Sequence, residues 1–213
     1  MYKHFIFDID GTLIDTEMTL VRSLQKTVKD LMDKDMSHEE AYYYFGVPSI
    51  KVGGLLGYQD ERHFLEYWEN EFMNHMHLMQ VFEGAESILA AAKAAGCKIG
   101  CVTSRNRLEF ERDPFLQPML HYFDIAICAE DTTLHKPNPE PMLEYMRRAA
   151  EATGEPVDAS ECLFLGDTEH DYRCGHGAGC AFALADWRNR GLQGIPADHR
   201  FTNASEAIAL LSE

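Results

Sequence analysis

The sequence KHFIFDIDGT, residues 3–12, begins with a short apolar run over residues 3–9 that carries Asp8, and it continues with Asp10, Gly11 and Thr12. An apolar run of this length, followed by a turn signal, predicts a buried strand. Asp8 and Asp10 stand at positions i and i+2, so their carboxylates point to the same side while the backbone stays extended. Gly11 then permits a sharp turn. The stretch therefore predicts a strand that delivers two carboxylates to its carboxyl end.

Similar apolar runs recur along the chain and alternate with helical patterns. Further strands are predicted over residues 99–102, 124–129, 162–165 and 180–184, and helices over residues 85–95, 140–153, 168–178 and 204–211. Gly96 and Gly154 follow two of these helices, where glycine commonly ends a helix. Short strands alternating with helices indicate βαβ units. The predicted fold class is α/β, with a Rossmann-like, doubly wound parallel sheet.

Residues 15–82 interrupt this alternation, because they contain helical patterns and no clear strand. Helices are expected over residues 17–34, 37–45, 49–56 and 61–79. Ser37 and Glu40 form a capping-box pattern at the start of the second helix. We predict that residues 15–82 are a helical cap domain inserted into a core domain of residues 1–14 and 83–213.

Composition excludes several classes of protein. The chain has 213 residues, with 19 Lys and Arg against 35 Asp and Glu, so binding to nucleic acid or to an anionic membrane is not expected. A phosphorylated metabolite remains compatible, since a bound divalent cation can invert the local field. No membrane span or signal peptide is visible, and the six cysteines contain no C-x-x-C pair. We expect a cytoplasmic protein with reduced thiols, monomeric or weakly dimeric.

Reactive side chains also follow the later strands. Thr103 and Ser104 follow the second strand, Lys136 comes after the third, and Asp167 and Asp171 follow the fourth. Ligands bind at the carboxyl ends of strands in open α/β sheets, so these side chains are expected to converge. Asp167 is expected to cap the next helix, with Asp171 one turn later on the same face.

These residue types suit phosphoryl transfer. Carboxylate oxygens are suitable ligands for Mg²⁺, which can bridge to a substrate phosphate. One carboxylate can attack phosphorus and form an acyl phosphate, while a second gives a proton to the leaving oxygen and later takes one from water. Lysine and hydroxyl groups can stabilise charge on the transferring group. Each motif alone is common, but the four motifs in this order, at successive strand ends, are strongly specific.

With these motifs the chain resembles the haloacid dehalogenase superfamily, in the branch that carries a helical cap after the first motif. The matching stretches are FDIDGTLIDT (Phe7–Thr16), CVTSR (Cys101–Arg105), HKPNPEP (His135–Pro141) and LGDTEHD (Leu165–Asp171). Within the superfamily, the chain resembles phosphoglycolate phosphatase-like and β-phosphoglucomutase-like enzymes. By this resemblance, Asp8 would be the nucleophile and a Mg²⁺ ligand. Asp10 would be the acid/base, with its backbone carbonyl on the metal.

The resemblance implies roles for the other matched residues as well. Thr103, the backbone N–H of Ser104 and Lys136 would bind the phosphoryl group, while Asp167 and Asp171 would hold or support Mg²⁺. An acidic residue at the position of Asp10, which dehalogenases and phosphonatases of the superfamily lack, favours phosphate esters.

Substrate specificity is expected in the cap. The loop of residues 46–51 falls where related enzymes place their specificity loop. Lys51 in this loop and Arg105 in the core are candidate contacts for an anionic leaving group, although both are also typical of solvated surface charge.

Three functions are compatible with the sequence. The favoured one is a Mg²⁺-dependent phosphatase that hydrolyses a small phosphorylated metabolite, phosphoglycolate-like or a sugar phosphate, through an aspartyl-phosphate. A β-phosphoglucomutase-like phosphomutase is the alternative, and cap residues do not decide between them. A non-catalytic sensor on the same fold is less favoured, because degenerate members should lack motif residues that this chain retains.

Overall fold

The computed structural model describes residues 2–188 and 194–211. The chain divides into two compact units, a larger unit of Met1–Ile14 with Val81–Glu213, and a helical unit of Asp15–Gln80. The sequence-based boundary at residue 82 lies two residues beyond the end of this helical unit.

The main sheet of the larger unit consists of six parallel strands. All the strands of the described residues, in chain order, are β1 His4–Phe7, β2 Ile14–Asp15, β3 Gln80–Val81, β4 Lys98–Val102, β5 Ile125–Ile127, β6 Cys162–Gly166, β7 Ala181–Ala185 and β8 His199–Phe201. The sheet has the order β5-β4-β1-β6-β7-β8, and each neighbouring pair runs parallel. β2 and β3 form a separate two-stranded sheet. The predicted α/β fold with a parallel sheet is confirmed.

Helices account for much of the remaining chain. They are α1 Glu17–Met32, α2 His38–Tyr42, α3 Ser49–Leu55, α4 Glu61–His75, α5 Ala85–Ala94, α6 Arg107–Arg112, α7 Glu140–Thr153, α8 Glu169–Gly177 and α9 Ala204–Leu210. Short 3-10 helices cover Met76–Leu78, Gln117–Tyr122, Ala129–Asp131 and Ala159–Glu161. Among the described residues, no helix is both long enough and apolar enough to cross a membrane.

Three strands and one α-helix were not predicted from the sequence. β8 is a three-residue edge strand in which Arg200 is exposed, so it lacks the apolar run that identifies a buried strand. β2 and β3 are two residues each, too short to produce a periodic pattern. α6 has six residues and begins at a capping box formed by Asn106 and Glu109.

The helical unit has an apolar core of its own. Phe64 is fully buried and Trp68 nearly so, and the Trp68 indole N–H donates to Ser23 Oγ at 2.9 Å. The predicted capping box is present, because the Ser37 N–H donates to Glu40 Oε2 at 2.7 Å and the Glu40 N–H donates to Ser37 Oγ at 3.1 Å. The buried aromatic residues and the capping box account for the helical patterns in the sequence of this unit.

The register of the central strands determines where the polar side chains lie. Phe7 of β1 stands opposite Cys101 of β4 and Leu165 of β6. All four residues of β1 are buried, as expected for a strand covered on both faces. Since the strands are parallel, the residues that follow β1, β4 and β6 emerge at the same edge of the sheet.

Gly100 in β4 makes room for the ring of Tyr145 from α7. Tyr145 is fully buried, and its hydroxyl is hydrogen-bonded to His4 Nδ1 at 3.0 Å. A Cβ atom at position 100 would overlap the Tyr145 ring. The tight contact between α7 and the sheet therefore requires glycine at this position.

We expect Gly100→Ala to lower the free energy of unfolding by about 1–3 kcal/mol, because overpacking a dense core forces side chains out of place. Urea unfolding measures the loss. Gly194→Ala is the matched control, since a Cβ atom there would meet no atom of the described part of the chain within 4 Å. Equal stability of Gly100→Ala and the wild-type protein would show that the contact with α7 is loose.

Candidate active site

Three polar residues follow the central strands and are buried at the carboxyl edge of the sheet. Asp8 follows β1, and its N–H donates to the Leu165 carbonyl at 2.9 Å. Thr103 follows β4, and its N–H donates to the Ile127 carbonyl at 3.0 Å. Asp167 follows β6 and is 1% exposed. Backbone hydrogen bonds of the sheet thus continue into the first residue beyond β1 and β4.

The loop after β1 turns sharply around the carbonyl of Ile9. This carbonyl accepts the N–H groups of Leu13 at 2.8 Å and Ile14 at 3.0 Å. Gly11 has a φ of +80°, and a Cβ atom there would overlap the Asp167 carboxylate. Glycine is therefore required twice, for the backbone conformation and for the close approach of Asp167.

Lys136 bridges two buried carboxylates. Its Nζ lies 2.9 Å from Asp8 Oδ1 and 2.7 Å from Asp171 Oδ1, and the Lys136 side chain is 2% exposed. Carboxylate oxygens of Asp8, Asp167 and Asp171 all lie within 4.8 Å of one another. We call these four residues the acidic cluster. Its three carboxylates are a set of hard oxygen donors that could hold a metal ion.

The charge of the acidic cluster is unbalanced. Burial raises the pKa of Asp8 to about 7, and the negative charges of Asp171 and Asp10 add to this effect, while Lys136 opposes it. Burial alone would lower the pKa of Lys136, but Asp171 and Asp8 raise it above its usual value, so the amine stays protonated. One ammonium group faces three carboxylates, which leaves negative charge for protons or a cation to neutralise.

The residue that caps α8 is Thr168, so the prediction that Asp167 caps this helix is wrong. The Asp171 N–H donates to Thr168 Oγ1 at 3.2 Å. In return, Asp171 Oδ2 accepts hydrogen bonds from the Thr168 N–H at 3.0 Å and from its hydroxyl at 2.5 Å. The reciprocal capping box fixes the Asp171 carboxylate and leaves Asp167 ahead of the helix, within the acidic cluster.

Arg105, predicted as a substrate contact, is paired with two carboxylates of the larger unit. It donates to Asp10 through Nε at 2.9 Å and Nη2 at 2.7 Å, and to Asp113 through Nη1 at 2.5 Å. Its backbone N–H donates to Thr103 Oγ1 at 3.2 Å. Ser104, between these two residues, is partly buried. The pairing of Arg105 with Asp10 was not predicted.

Lys51, the other predicted specificity residue, lies on α3 of the helical unit and is exposed. Its contact with a leaving group stays a prediction.

Two further residues near the site were missed by sequence reasoning. Asp113 stands before a proline, where a sequence indicates only a turn. Trp187 follows β7, and its indole N–H donates to the Thr12 carbonyl at 2.7 Å in the loop after β1. Each interaction joins a residue of one motif, Arg105 or Thr12, to a residue outside the four motifs, and no local pattern signals such a pair.

Comparisons with known sequences cover nearly the whole chain. The family model of haloacid dehalogenase-like hydrolases matches residues 5–185. A PpaX protein from Clostridium perfringens (strain 13 / Type A) is 34% identical over 184 residues, 84% of this chain and 81% of the relative. The pyrophosphatase PpaX from Bacillus cereus (strain G9842) is 27% identical over 214 residues, 97% of this chain and 95% of the relative.

Solved structures are similar over the same length. A candidate phosphoglycolate phosphatase from Lactobacillus plantarum has a TM-score of 0.82 and 25% identity, with 99% of both chains covered. The β-phosphoglucomutase of Clostridium difficile has a TM-score of 0.75 over 99% of this chain and 98% of that one, and its 17% identity shows the fold alone. The family match at residues 5–185 includes all four motifs, and this chain belongs to the haloacid dehalogenase-like hydrolase family.

Proposed function

We propose that the protein is a Mg²⁺-dependent phosphatase that hydrolyses a small phosphorylated metabolite through phosphorylation of Asp8. The acidic cluster carries this proposal, because a buried carboxylate ion-paired to Lys136 at 2.9 Å is held in one orientation beside two further carboxylates. An oriented carboxylate is a competent nucleophile toward phosphorus.

In the first step an Asp8 carboxylate oxygen attacks the phosphorus of the substrate. The bond from phosphorus to the leaving oxygen breaks, and that oxygen takes a proton from Asp10. Lys136 reduces the repulsion between Asp8 and the incoming phosphate, while the Thr103 hydroxyl and the Ser104 N–H bind the phosphoryl oxygens.

In the second step water attacks the phosphorus of the aspartyl-phosphate. Asp10 accepts a proton from that water, and the bond between phosphorus and the Asp8 oxygen breaks. Inorganic phosphate leaves, and the Asp8 carboxylate is restored. A single residue thus serves as acid and then as base.

The acidic cluster fits Mg²⁺ in charge and in donor chemistry. Asp8, Asp167 and the backbone carbonyl of Asp10 would hold the ion. Asp171 Oδ1 already binds Lys136 and its Oδ2 binds Thr168, so Asp171 supports the site by orienting its neighbours. When bound, Mg²⁺ supplies positive charge that lets a phosphate approach three carboxylates.

The substrate class is taken from the chemistry of the site and from the relatives. Relatives named as pyrophosphatase and phosphoglycolate phosphatase both favour a small, strongly anionic phosphate compound. We propose that the helical unit serves as a cap that selects the compound, with Lys51 as a contact for an anionic group.

Phosphate release from pyrophosphate, phosphoglycolate and sugar phosphates in the presence of Mg²⁺ identifies the substrate class. Isomerisation of a sugar phosphate without phosphate release would favour the mutase. No turnover of any phosphate compound, p-nitrophenyl phosphate included, would contradict the proposed function.

Asp8→Asn should reduce hydrolysis of p-nitrophenyl phosphate by several orders of magnitude, because the nucleophile is lost. We expect the folded state to persist, since the change removes negative charge from a cluster that has an excess. Phosphate release and thermal unfolding measure the two effects. Asp158→Asn is the control, because Asp158 precedes β6 at the opposite edge of the sheet. Near-wild-type turnover of Asp8→Asn would overturn the aspartyl-phosphate mechanism.

Mg²⁺ should raise the melting temperature of the wild-type protein, because a ligand that binds only the folded state stabilises it, by about 2.7 kcal/mol at 100 times its Kd. Asp167→Asn should abolish most of this shift, and Asp158→Asn should retain it. Differential scanning calorimetry with Mg²⁺ and with EDTA tests both. A full shift in Asp167→Asn would place the ion elsewhere.

Lys136→Met should lower the free energy of unfolding by about 3–5 kcal/mol at neutral pH, because it leaves buried carboxylates without a counter-charge. The loss should shrink as the pH falls towards about 7 and level off below that value. Lys136 lowers the pKa of Asp8, which is about 7 in the folded wild-type protein, so without Lys136 the folded variant binds the Asp8 proton at a higher pH than the wild-type protein does. Between the two pKa values only the variant gains stability on acidification, and below about 7 both proteins gain it equally.

Urea unfolding in EDTA at several pH values measures this dependence. Lys93→Met is the control, because its ion pair with Asp124 is partly exposed and should contribute at most about 1 kcal/mol. A pH-independent loss in Lys136→Met would mean that packing, and not charge, explains the effect.

A further inference from the structure

Asp10, the proposed acid/base, is bound by an arginine fork. Arg105 Nε and Nη2 donate to the two oxygens of the Asp10 carboxylate at 2.9 and 2.7 Å. The Arg105 side chain is 10% exposed and that of Asp10 is 23% exposed. Two parallel N–H···O bonds fix both the position and the plane of the carboxylate.

Arg105 is itself held at both ends. At the backbone, its N–H donates to Thr103 Oγ1 at 3.2 Å, and its carbonyl accepts the Ala129 N–H at 2.9 Å. At the guanidinium, Nη1 donates to Asp113 Oδ2 at 2.5 Å. The fork therefore has little freedom to move.

Asp113 is a rigid anchor for this arrangement. It is 8% exposed, and its Oδ1 accepts the backbone N–H groups of Phe115 at 2.7 Å and Leu116 at 3.1 Å. The carboxylate is thus oriented by the backbone beyond α6, with its other oxygen directed at Arg105. A chain of fixed contacts runs from that backbone to Asp10.

We propose that Arg105 is a positioning residue, which with Asp113 as its anchor holds the Asp10 carboxylate where it exchanges a proton with the leaving oxygen. This inference rests on the proposed function, and it replaces a direct contact between Arg105 and the substrate. General acid catalysis needs the acid within hydrogen-bond reach of the leaving oxygen. A misplacement of about 1 Å can cost about 10²-fold in rate.

Leaving-group dependence separates positioning of Asp10 from a general structural role. p-Nitrophenyl phosphate and phenyl phosphate have leaving groups of similar shape that carry no charged substituent, but the departing oxygen of phenolate is more basic than that of p-nitrophenolate and depends more on protonation by Asp10. kcat/KM reports the steps up to formation of the aspartyl-phosphate, so it excludes the later hydrolysis that the two substrates share. A poorly placed Asp10 must therefore lower kcat/KM more for phenyl phosphate than for p-nitrophenyl phosphate.

Arg105→Lys and Arg105→Met are the test variants. Lysine retains the positive charge that Asp10 and Asp113 need in the folded state, but it cannot form the two parallel hydrogen bonds of the fork. Comparison of the two variants therefore separates the effect of the charge from the effect of the fork geometry. Asp113→Asn removes the charge of the anchor while the chain keeps its arginine at position 105. Arg147→Met is the matched control, because Arg147 forms the same kind of fork with Glu144, at 2.7 Å for both bonds, on a more exposed helix face. Thermal unfolding verifies that each variant is folded.

We expect both Arg105 variants to lower kcat/KM about 10-fold more for phenyl phosphate than for p-nitrophenyl phosphate, a fraction of the 10²–10⁴-fold that general acid catalysis contributes. Asp113→Asn should also lower kcat/KM more for phenyl phosphate than for p-nitrophenyl phosphate, but by a smaller factor. Arg147→Met should leave the ratio of the two kcat/KM values unchanged. An equal loss on both substrates in Arg105→Lys, a gain in rate, or unchanged kinetics would each overturn the inference.

Phosphoglycolate distinguishes the direct-contact alternative, because its leaving group carries a carboxylate. A loss confined to phosphoglycolate, through a higher KM, would mean that Arg105 binds the substrate and does not position Asp10. Hydrolysis of aryl phosphates by the wild-type protein and by Asp8→Asn tests the proposed function separately from the role of Arg105. If it hydrolyses p-nitrophenyl phosphate and Asp8→Asn does not, the proposed function stands whatever the Arg105 variants do. If it hydrolyses neither aryl phosphate, the proposed function and the inference fail together.

Discussion

The site depends on negative charge buried at the carboxyl edge of the sheet. Three carboxylates share one ammonium group, that of Lys136, which lies within 2.9 Å of two of them. Such a cluster would be unstable without a rigid frame, because buried charges without partners are costly. Backbone hydrogen bonds beyond β1, the capping box of α8 and glycine at position 11 supply that frame. The same imbalance of charge makes the cluster suitable for a divalent cation.

A second set of charges lies beside the acidic cluster and is balanced differently. Arg105 faces Asp10 and Asp113, and each guanidinium nitrogen donates to a carboxylate. The acidic cluster has one positive charge against three carboxylates, whereas the second set is held by a guanidinium, a permanent cation with directional donors. We infer that the two arrangements serve different tasks, the binding of a cation and phosphate in one and the orientation of a proton carrier in the other.

Local patterns in the sequence predicted the parallel sheet and the family, and these predictions are confirmed. Asp8, Thr103 and Asp167 could be placed at one edge because a parallel sheet brings strand ends together. The cap of α8 was misassigned, since Asp167 and Thr168 are adjacent and both residue types favour that position. The pair of Asp10 and Arg105 is separated by 95 residues, and such a pairing follows from packing and not from any local pattern.

The indole of Trp187 has a practical consequence. The chain has two tryptophans, and the structure places one in each compact unit: Trp68 lies in the core of the helical unit, and Trp187 lies after β7 with its indole hydrogen-bonded to the loop after β1. Fluorescence from the two rings therefore reports on separate parts of the molecule. Replacing either tryptophan by phenylalanine leaves a single tryptophan, so its fluorescence can follow the unfolding of one unit in real time without an added dye.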